Sequence, residues 1–331
     1  MAKVSMSTVS AVLNAKNIVR DPTRARVLDA IEKLQYHPNL FASNLARQKS
    51  RLIGLVVSNL LNPFFAETAQ AIEDEARQKG FEVSVAETNF SISRLDRAIR
   101  QLLAMRVAGL AILTSEIDED CIESIRRAAI PAVFLDVASP GKFISNIRVA
   151  SRAGMKNAVK HLIELGHRDL LIVNNSQTGP AGHNLLSHRS RNQGVAAAIR
   201  AFGRDRVSVN VVDIEGSGPH AGLKAIEEIF GKVSFTGVVC VTDMVALGVY
   251  RGLRDRGVTI PNDISVVGFD NTYLCEFLDP PLTSIDIPRK KLSAAVVQSL
   301  LSMIEEKTTG RQFDIHTKLI VRHSTACPRT C

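Results

Sequence analysis

Polar residues that could bind a small molecule follow two apolar runs in the second half of the chain. Asp270 comes directly after the run 264–269, and Thr242 and Asp243 come after the run 237–241. A carboxylate at the end of a strand can accept hydrogen bonds from two hydroxyl groups of a sugar. Asp270 is therefore the strongest predicted ligand contact, with a helix or turn cap as the alternative. For Asp243, capping of the following helix is also open.

Two phenylalanines follow the first predicted strand, in the segment Asn62-Pro63-Phe64-Phe65. Ligands of open α/β sheets lie beyond the carboxyl ends of the strands, so this segment is well placed for a site. Aromatic rings at that position can stack on the face of a sugar or a base. The alternative, which we expect for one of the two rings, is that it covers the core.

An alternation of short apolar runs and helical stretches must position these residues. Runs with apolar residues on both faces are typical of parallel sheets covered by helices on both sides. The predicted strands are 52–57, 81–86, 109–113, 132–135, 170–173, 209–212, 237–241 and 264–269. The predicted helices include 66–79, 94–105, 153–165, 194–202, 223–230 and 244–256. The sequence therefore predicts an α/β fold.

The strands are too many for one sheet of this kind, so we predict two doubly wound parallel-sheet lobes. We place lobe 1 at about 51–148 and 283–308, and lobe 2 at about 151–280 and 310–327. In this division the segment 282–287 and the helix 288–306 return to lobe 1. A last strand at about 313–321 returns to lobe 2. The chain then crosses between the lobes three times.

Length and charge point to more than one domain and to a polyanionic partner. A chain of 331 residues predicts two or three domains, and its net charge is +8. The segment 1–51 holds nine Lys and Arg residues against three acidic residues. Such clustering is the electrostatic pattern of nucleic-acid binding, with an ordinary solvated surface as the alternative.

Several classes of protein are disfavoured. There is no apolar signal segment and no run of about 20 apolar residues, so we expect a cytoplasmic protein without a membrane partner. The five cysteines are scattered without a C-x-x-C pair, which predicts reduced thiols that bind no metal. Nucleophile-elbow, Walker and H-E-x-x-H motifs are absent, so we expect neither an enzyme nor a cofactor.

The N-terminal segment predicts two short helices followed by a third. Residues 5–13 place Val9, Val12 and Leu13 on one side, leaving a polar face that could enter a major groove. A second helix begins at Asp21-Pro22, and Arg24 near its start could meet a phosphate. The segment 39–46 could become helical when two copies pack on DNA, with Leu45 wedged into the minor groove. The alternative is an interdomain linker.

In the order and spacing of its motifs, the chain resembles the LacI/GalR family of bacterial transcription regulators. The matching motifs are 4–14, 36–39, 53–57, 62–65, 166–168, 191–194, 243–248, 261–271 and 280–284. The resemblance implies a helix-turn-helix headpiece at 1–38, a hinge helix and linker at 39–50, and a core at 51–331. The core would resemble periplasmic sugar-binding proteins.

The resemblance also implies residues that contact operator DNA. Met6 and Ser7 match base-reading positions, and Leu45 matches the intercalating leucine of the hinge. Ala11 stands where an arginine is common, and alanine cannot make the bidentate contact to guanine that arginine makes. The implied DNA-contacting residues are Ser5, Met6, Ser7, Thr8, Ser10, Asn14, Arg24, Asn39, Ala42 and Leu45.

For the effector, the resemblance adds Arg191, whose guanidinium suits vicinal hydroxyls or a carboxylate, with Arg189 as a nearby alternative. The expected effector-binding residues are Phe64, Phe65, Arg191, Thr242, Asp243 and Asp270. The expected effector is a sugar or a related metabolite, and the expected assembly is a homodimer. A periplasmic-type sugar-binding protein and an effector sensor that does not bind DNA are the alternatives.

One expected part of the headpiece is missing from the sequence. Family members begin with a further helix before the turn, whereas only three residues precede Val4 here, and Lys3 stands where a glycine is usual. An upstream start codon is the explanation that we prefer, and a degenerate headpiece is the other. A chain that begins at Met1 should have a loosely folded headpiece and bind its operator weakly.

Overall fold

The computed structural model describes residues 2–13, 18–35, 50–114, 116–137, 139–175, 186–203 and 206–329. The chain divides into two compact units, Met1–Ser50 and Arg51–Cys331. The smaller unit contains helices, and the larger unit contains two sheets with helices around them.

The N-terminal unit contains helices α1 (Met6–Leu13) and α2 (Asp21–Lys33). The hydroxyl of Ser5 accepts a hydrogen bond from the Thr8 backbone N–H at 3.2 Å, which satisfies a free donor at the start of α1. Pro22 lies in the first turn of α2, where its missing N–H has no consequence.

Only a narrow stripe of each N-terminal helix is buried. Val12 and Val27 are buried, whereas Leu28 and Leu34 are 50% and 57% exposed. Two short helices that pack together bury only the side chains along their line of contact. Apolar side chains away from that line, such as Leu28 and Leu34, are exposed in this unit.

The larger unit contains twelve strands among the described residues. They are β1 (Leu52–Val57), β2 (Glu82–Glu87), β3 (Gly109–Leu113), β4 (Ala132–Leu135), β5 (Ile144–Val149), β6 (Asp169–Asn175), β7 (Ser208–Ile214), β8 (Gly237–Cys240), β9 (Ser265–Asp270), β10 (Thr283–Asp286), β11 (Gln312–Ile315) and β12 (Lys318–Ile320). The helices are α3 (Pro63–Gln78), α4 (Ile92–Ala104), α5 (Glu119–Ala128), α6 (Ser151–Glu164), α7 (Leu186–Phe202), α8 (Pro219–Ile229), α9 (Asp243–Arg254) and α10 (Arg289–Glu305). A 3₁₀ turn covers Tyr273–Glu276.

The strands form two six-stranded sheets, one for each lobe. The order is β11-β5-β4-β3-β1-β2 in lobe 1 and β12-β10-β9-β8-β6-β7 in lobe 2. All pairings are parallel except that of β12 with β10. Every residue of the central strands β3 and β8 is buried, as expected for strands covered by helices on both faces. The predicted fold of two parallel-sheet α/β lobes is confirmed.

The placement of two late segments in the predicted lobes is wrong. Residues 283–286 form β10, which pairs with β9 in lobe 2, so only the helix that follows returns to lobe 1. The predicted strand 313–321 is two strands, β11 beside β5 in lobe 1 and β12 beside β10 in lobe 2. Thr317, between them, donates to the Ala150 carbonyl at 3.2 Å, so this crossing lies beside the first one. An apolar run predicts a strand, but it does not indicate to which of the two sheets that strand is added.

One cluster of buried side chains is shared by the two lobes. It includes Phe64 and Val296 from lobe 1 and Phe269 and Ile285 from lobe 2. Helices α3 and α10 pack against each other on the lobe 1 sheet. The chain passes between the lobes at residue 150, at 287–288 and at 316–317. Apolar packing and three chain crossings therefore join the lobes.

Candidate functional site

Two of the predicted ligand contacts, Arg191 and Asp270, lie together at the carboxyl end of β9. Arg191 Nη2 is 3.9 Å from Asp270 Oδ1, and the two side chains are 12% and 4% exposed. Arg191 also donates to the Val241 carbonyl at 3.0 Å, and its guanidinium carbon lies 4.3 Å from the centre of the Phe269 ring. These contacts fix the guanidinium beside the carboxylate. Together the two side chains present donors and acceptors suited to a polyhydroxylated ligand.

The backbone that carries Asp270 is in an unfavourable conformation. Its φ is 110°, and that of Asn271 is 53°, both in the region that favours glycine. The Asn271 N–H donates to Ser284 Oγ at 3.1 Å, and Arg289 Nη1 donates to the Asp270 carbonyl. Burial raises the pKa of the Asp270 carboxyl, and the positive charge of Arg191 opposes that rise. Strained backbone and a buried carboxyl at one position are typical of a functional site.

Thr242 and Asp243 follow the adjacent strand β8, and Asp243 contacts this turn. Thr242 Oγ1 accepts from the Val245 N–H at 3.2 Å and so caps α9, which means that the predicted alternative of Asp243 as the cap is wrong. Asp243 accepts from the Ser284 hydroxyl at 2.6 Å and from the Thr272 N–H at 2.7 Å. The Asp243 carboxylate therefore holds the turn in place. Its direct contact with a ligand stays a prediction.

Phe64 and Phe65 differ in their surroundings. Asn62 Oδ1 accepts from the Phe64 N–H at 3.0 Å, which starts α3 directly after the loop that follows β1. Phe64 is buried in the core cluster, and Phe65 is half-buried against it, with 5.2 Å between the ring centres. Phe64 thus covers the core, as expected for one of the two rings. Contact of either ring with a ligand stays a prediction.

Lobe 1 contributes a carboxylate that the sequence analysis missed. Asp136 follows β4 directly, and its Oδ1 accepts from the Val149 N–H at 2.8 Å. Burial raises the pKa of Asp136 to about 6, although the positive charge of Arg191 in lobe 2 lowers it. Asp136 therefore lies within electrostatic range of the Arg191 guanidinium. The sequence held the signal, because Asp136 directly follows the predicted strand 132–135 as Asp270 directly follows the predicted strand 264–269.

A second polar cluster in lobe 1 was also missed. Ser58 Oγ lies 3.1 Å from Thr114 Oγ1 and 3.0 Å from Glu116 Oε2, and the Thr114 hydroxyl also donates to Glu116. All three side chains are buried. Ser58 and Thr114 are the first residues after β1 and β3, so they lie at the same edge of the sheet as Asp136. Hydroxyls and a carboxylate at this edge could bind further ligand hydroxyls.

Arg289, at the start of α10, is a further residue that the sequence did not indicate. Its Nη2 lies 3.2 Å from Glu67 Oε2, and its guanidinium carbon lies 4.8 Å from the centre of the Phe64 ring. Since Arg289 also donates to the Asp270 carbonyl, one side chain connects both lobes.

The predicted DNA-contacting residues fall into two groups. Ser5, Met6, Ser7 and Ser10 are exposed on or beside α1, with Met6 at 91%, and Thr8 and Arg24 are half-buried. Ala11 is buried, so this position does not face outward in the N-terminal unit. The other predicted contacts lie outside the described residues; they are Asn14, Asn39, Ala42 and Leu45. Their contacts with DNA stay predictions.

Two kinds of feature are absent from the described part of the chain. Across it, His, Cys, Asp and Glu side chains form no cluster that could hold a metal ion. Within the same residues, no helix combines the length and apolar character needed to cross a membrane.

Two protein families match the chain. The periplasmic binding protein-like domain matches residues 159–325, and bacterial regulatory proteins of the lacI family match residues 1–39. The chain is 29% identical to the HTH-type transcriptional repressor PurR of Photobacterium profundum over 330 residues, which is 98% of this chain and 96% of that protein. It is 28% identical to catabolite control protein A of Priestia megaterium over 309 residues, covering 93% of this chain and 91% of that protein.

Solved structures resemble the chain over similar lengths. The Lac repressor dimer bound to operator and the anti-inducer ONPF is 29% identical with a TM-score of 0.81, covering 98% of this chain and 96% of that one. A LacI family transcriptional regulator from Enterococcus faecium with bound ribose is 26% identical with a TM-score of 0.73. That match covers 83% of this chain and 99% of the other.

Proposed function

The chain belongs to the lacI family of bacterial regulatory proteins and carries a periplasmic binding protein-like domain, and we propose that it is an effector-controlled transcriptional repressor. In this proposal the N-terminal unit binds operator DNA and the core binds a small molecule. The similarity to the repressor PurR over 98% of the chain supports the whole assignment, because it includes both units.

The observation that carries the effector proposal is the pairing of the buried Arg191 and Asp270 side chains at 3.9 Å. An arginine fork and carboxylates at strand ends suit the vicinal hydroxyls of a sugar or a related metabolite. The ribose bound to the Enterococcus faecium regulator is consistent with this chemistry. The proposed contacts are Asp136, Arg191 and Asp270, with Phe64, Phe65, Thr242 and Asp243 as predicted from the sequence.

We infer that the effector acts by changing the angle between the lobes. A ligand that touches both lobes favours the lobe arrangement in which both sets of contacts form. The three crossings, at residue 150, at 287–288 and at 316–317, are the segments that absorb such a movement. Linkage requires that the ligand bind the DNA-bound and free states with different affinity, and it leaves open which state is favoured.

We further propose that the protein acts as a cytoplasmic homodimer and is not an enzyme. The Lac repressor, a dimer bound to operator, supports the homodimer. The transcriptional regulators among the relatives support the other two assignments. The first-lobe helices α3 and α10, which pack side by side, are the proposed dimer surface. Light scattering of the purified protein should give twice the chain mass of 36.1 kDa.

A thermal-shift screen with sugars, nucleobases and small carboxylic acids tests the effector site. A true effector raises the melting temperature of the unaltered protein and of Asp255→Asn, which changes an exposed carboxylate paired with Arg251. The same compound should give no rise with Asp270→Asn. A compound that raises the melting temperature of Asp270→Asn as much as that of the unaltered protein would contradict the proposed effector site.

Selection from a random pool of DNA duplexes tests the other half of the proposal. A dimeric repressor should enrich a sequence with two-fold symmetry, because half-sites mirror the symmetry of the protein. Effector binding without any enriched sequence would instead favour a sensor that does not bind DNA.

A further inference from the structure

Arg289 holds the strained turn of lobe 2 from lobe 1. It is the first residue of α10, directly after the crossing at 287–288. Its Nη1 donates to the carbonyls of Asp270 and Ile287, and its side chain is only 12% exposed. The guanidinium lies over the Phe64 ring at 4.8 Å, which fixes its plane. A rotation of lobe 1 relative to lobe 2 would therefore pull on the main chain of Asp270.

Glu67 makes the second link between the lobes at this point. It lies on α3 in lobe 1, and its Oε1 accepts from the Tyr273 N–H of lobe 2 at 2.9 Å. Its other oxygen lies 3.2 Å from Arg289 Nη2. One carboxylate thus holds both the 3₁₀ turn of lobe 2 and the arginine that holds Asp270. The two links hold the main chain at residues 270 and 273, the ends of the turn that contains the strained residues 270–271.

The remaining bonds to this turn come from lobe 2 itself. Ser284 accepts from the Asn271 N–H, Asp243 accepts from the Thr272 N–H, and Asp286 accepts from the Asn271 side chain at 3.0 Å. These groups move with the turn when the lobes rotate. Among the contacts that fix residues 270–273, those of Arg289 and Glu67 are the ones that depend on the lobe angle.

The pair is poorly arranged for stability alone. Among the described residues, Nε and Nη2 of Arg289 have no hydrogen-bond partner, although Nη2 is close enough to Glu67 for an ion pair. Burying a guanidinium without satisfying its hydrogen-bond donors costs free energy. Apolar residues of similar size often stabilise a fold at least as much as a buried ion pair does. A positioning role accounts for a buried charge at this place.

We propose that Glu67 and Arg289 are positioning residues through which lobe 1 sets the geometry of the Asp270 turn. The pair couples the lobe angle to the readiness of the site for a ligand. It also couples the site to α3 and α10, which carry the two residues. This inference rests on the proposed function only in taking Asp270 as a ligand contact.

Hydrogen–deuterium exchange of the full-length, ligand-free protein tests the proposal, with the amides of 271–274 as the readout. Glu67→Met and Arg289→Met keep the side-chain length and remove the links. Each should speed exchange at 271–274 about tenfold, the size of effect expected from the loss of a hydrogen bond to a charged group. The double variant should exchange no faster than the single ones, because the two residues act as a unit.

Two further variants separate positioning from a general loss of stability. Glu67→Gln keeps an acceptor for the Tyr273 N–H and removes the charge, so it should give an intermediate rate. Glu73→Met lies on the same helix and removes an exposed pair with Arg77, so it should leave 271–274 unchanged. Amides of the central strands β3 and β8 should keep their rates in every variant.

Unchanged exchange at 271–274 in Glu67→Met and Arg289→Met would overturn the proposal. Equal acceleration throughout the core would also overturn it, because the pair would then only stabilise the fold. Additive effects in the double variant would overturn the proposal that the two residues act as one unit. The proposed effector site fails by a different result, namely a screening hit that still stabilises Asp270→Asn, so the two failures can be told apart.

Discussion

Replacing Asp136 with asparagine should stabilise the ligand-free protein at alkaline pH. The carboxyl is held at a pKa of about 6, well above its ordinary value of 3.8, because burial disfavours its ionised form. The folded state therefore binds a proton more tightly than the unfolded state does. As the pH rises from 3.8 to 6, stability is lost, and the loss is complete above that window.

The magnitude follows from the gap between the two pKa values. At 1.36 kcal/mol for each pKa unit, a gap of about 2 corresponds to about 3 kcal/mol of lost stability at pH 8. This value already contains the attraction of Arg191, which lowers the pKa. Asparagine cannot ionise, and its Oδ1 can still accept from the Val149 N–H. Asp136→Asn should then raise the melting temperature by up to roughly 5 °C for a core of this size.

Thermal unfolding at pH 4 and pH 8 is the assay. Asp136→Asn should raise the melting temperature at pH 8 and leave it nearly unchanged at pH 4, where the carboxyl of the unaltered protein is already protonated. Asp255→Asn, at an exposed pair with Arg251, should show no such dependence. The reasoning would be refuted if Asp136→Asn changed the melting temperature equally at both pH values, or if it lowered the melting temperature at pH 8. The same substitution should weaken binding of any hit from the effector screen, since a carboxylate kept at such a cost belongs to a working site.

Three other substitutions give sharp expectations. Arg191→Lys should weaken binding of the screening hit at least about tenfold, because lysine lacks the planar fork; unchanged affinity would remove Arg191 from the site. Gly268→Ala should destabilise the core by about 2 kcal/mol, because the new Cβ would lie 2.4 Å from Asp243 Oδ1. Gly141→Ala, with nothing within 4 Å of its Cβ, is the control, and equal melting temperatures would refute the clash. Burial lowers the pKa of His167, so the unfolded state binds more protons below about pH 6.5. The stability of the unaltered protein relative to His167→Gln should therefore fall as the pH falls through that value, and a pH-independent difference in denaturant midpoint would contradict this.

The site was partly readable from the sequence. The position after a strand identified Asp270, and the same rule would have identified Asp136 and Ser58, which follow β4 and β1. Arg289 and Glu67 follow no such rule. Their contact joins residues far apart in the chain and depends on the approach of the two lobes, which periodicity does not encode.

The fold shows the same division between local and long-range information. Alternating apolar runs were enough to predict parallel sheets and two lobes. They were not enough to place β10 and β11, because both are short strands whose sheet is chosen by the free edge beside them. Likewise, the sequence did not distinguish Thr242 from Asp243 as the cap of α9, since either side chain can accept a backbone N–H.

The late crossing of the chain has a consequence for how the protein is made. Strands β11 and β12 complete the edges of the two sheets and come from nine consecutive residues, 312–320, near the C-terminus. Until the ribosome has released this segment, both lobes have an unpaired strand edge, β5 in one and β10 in the other. Such edges are templates for pairing with other chains. A nascent chain stalled before residue 312 therefore presents two strand edges that are open to pairing with other chains, and each sheet is completed only when its strand from this segment is added.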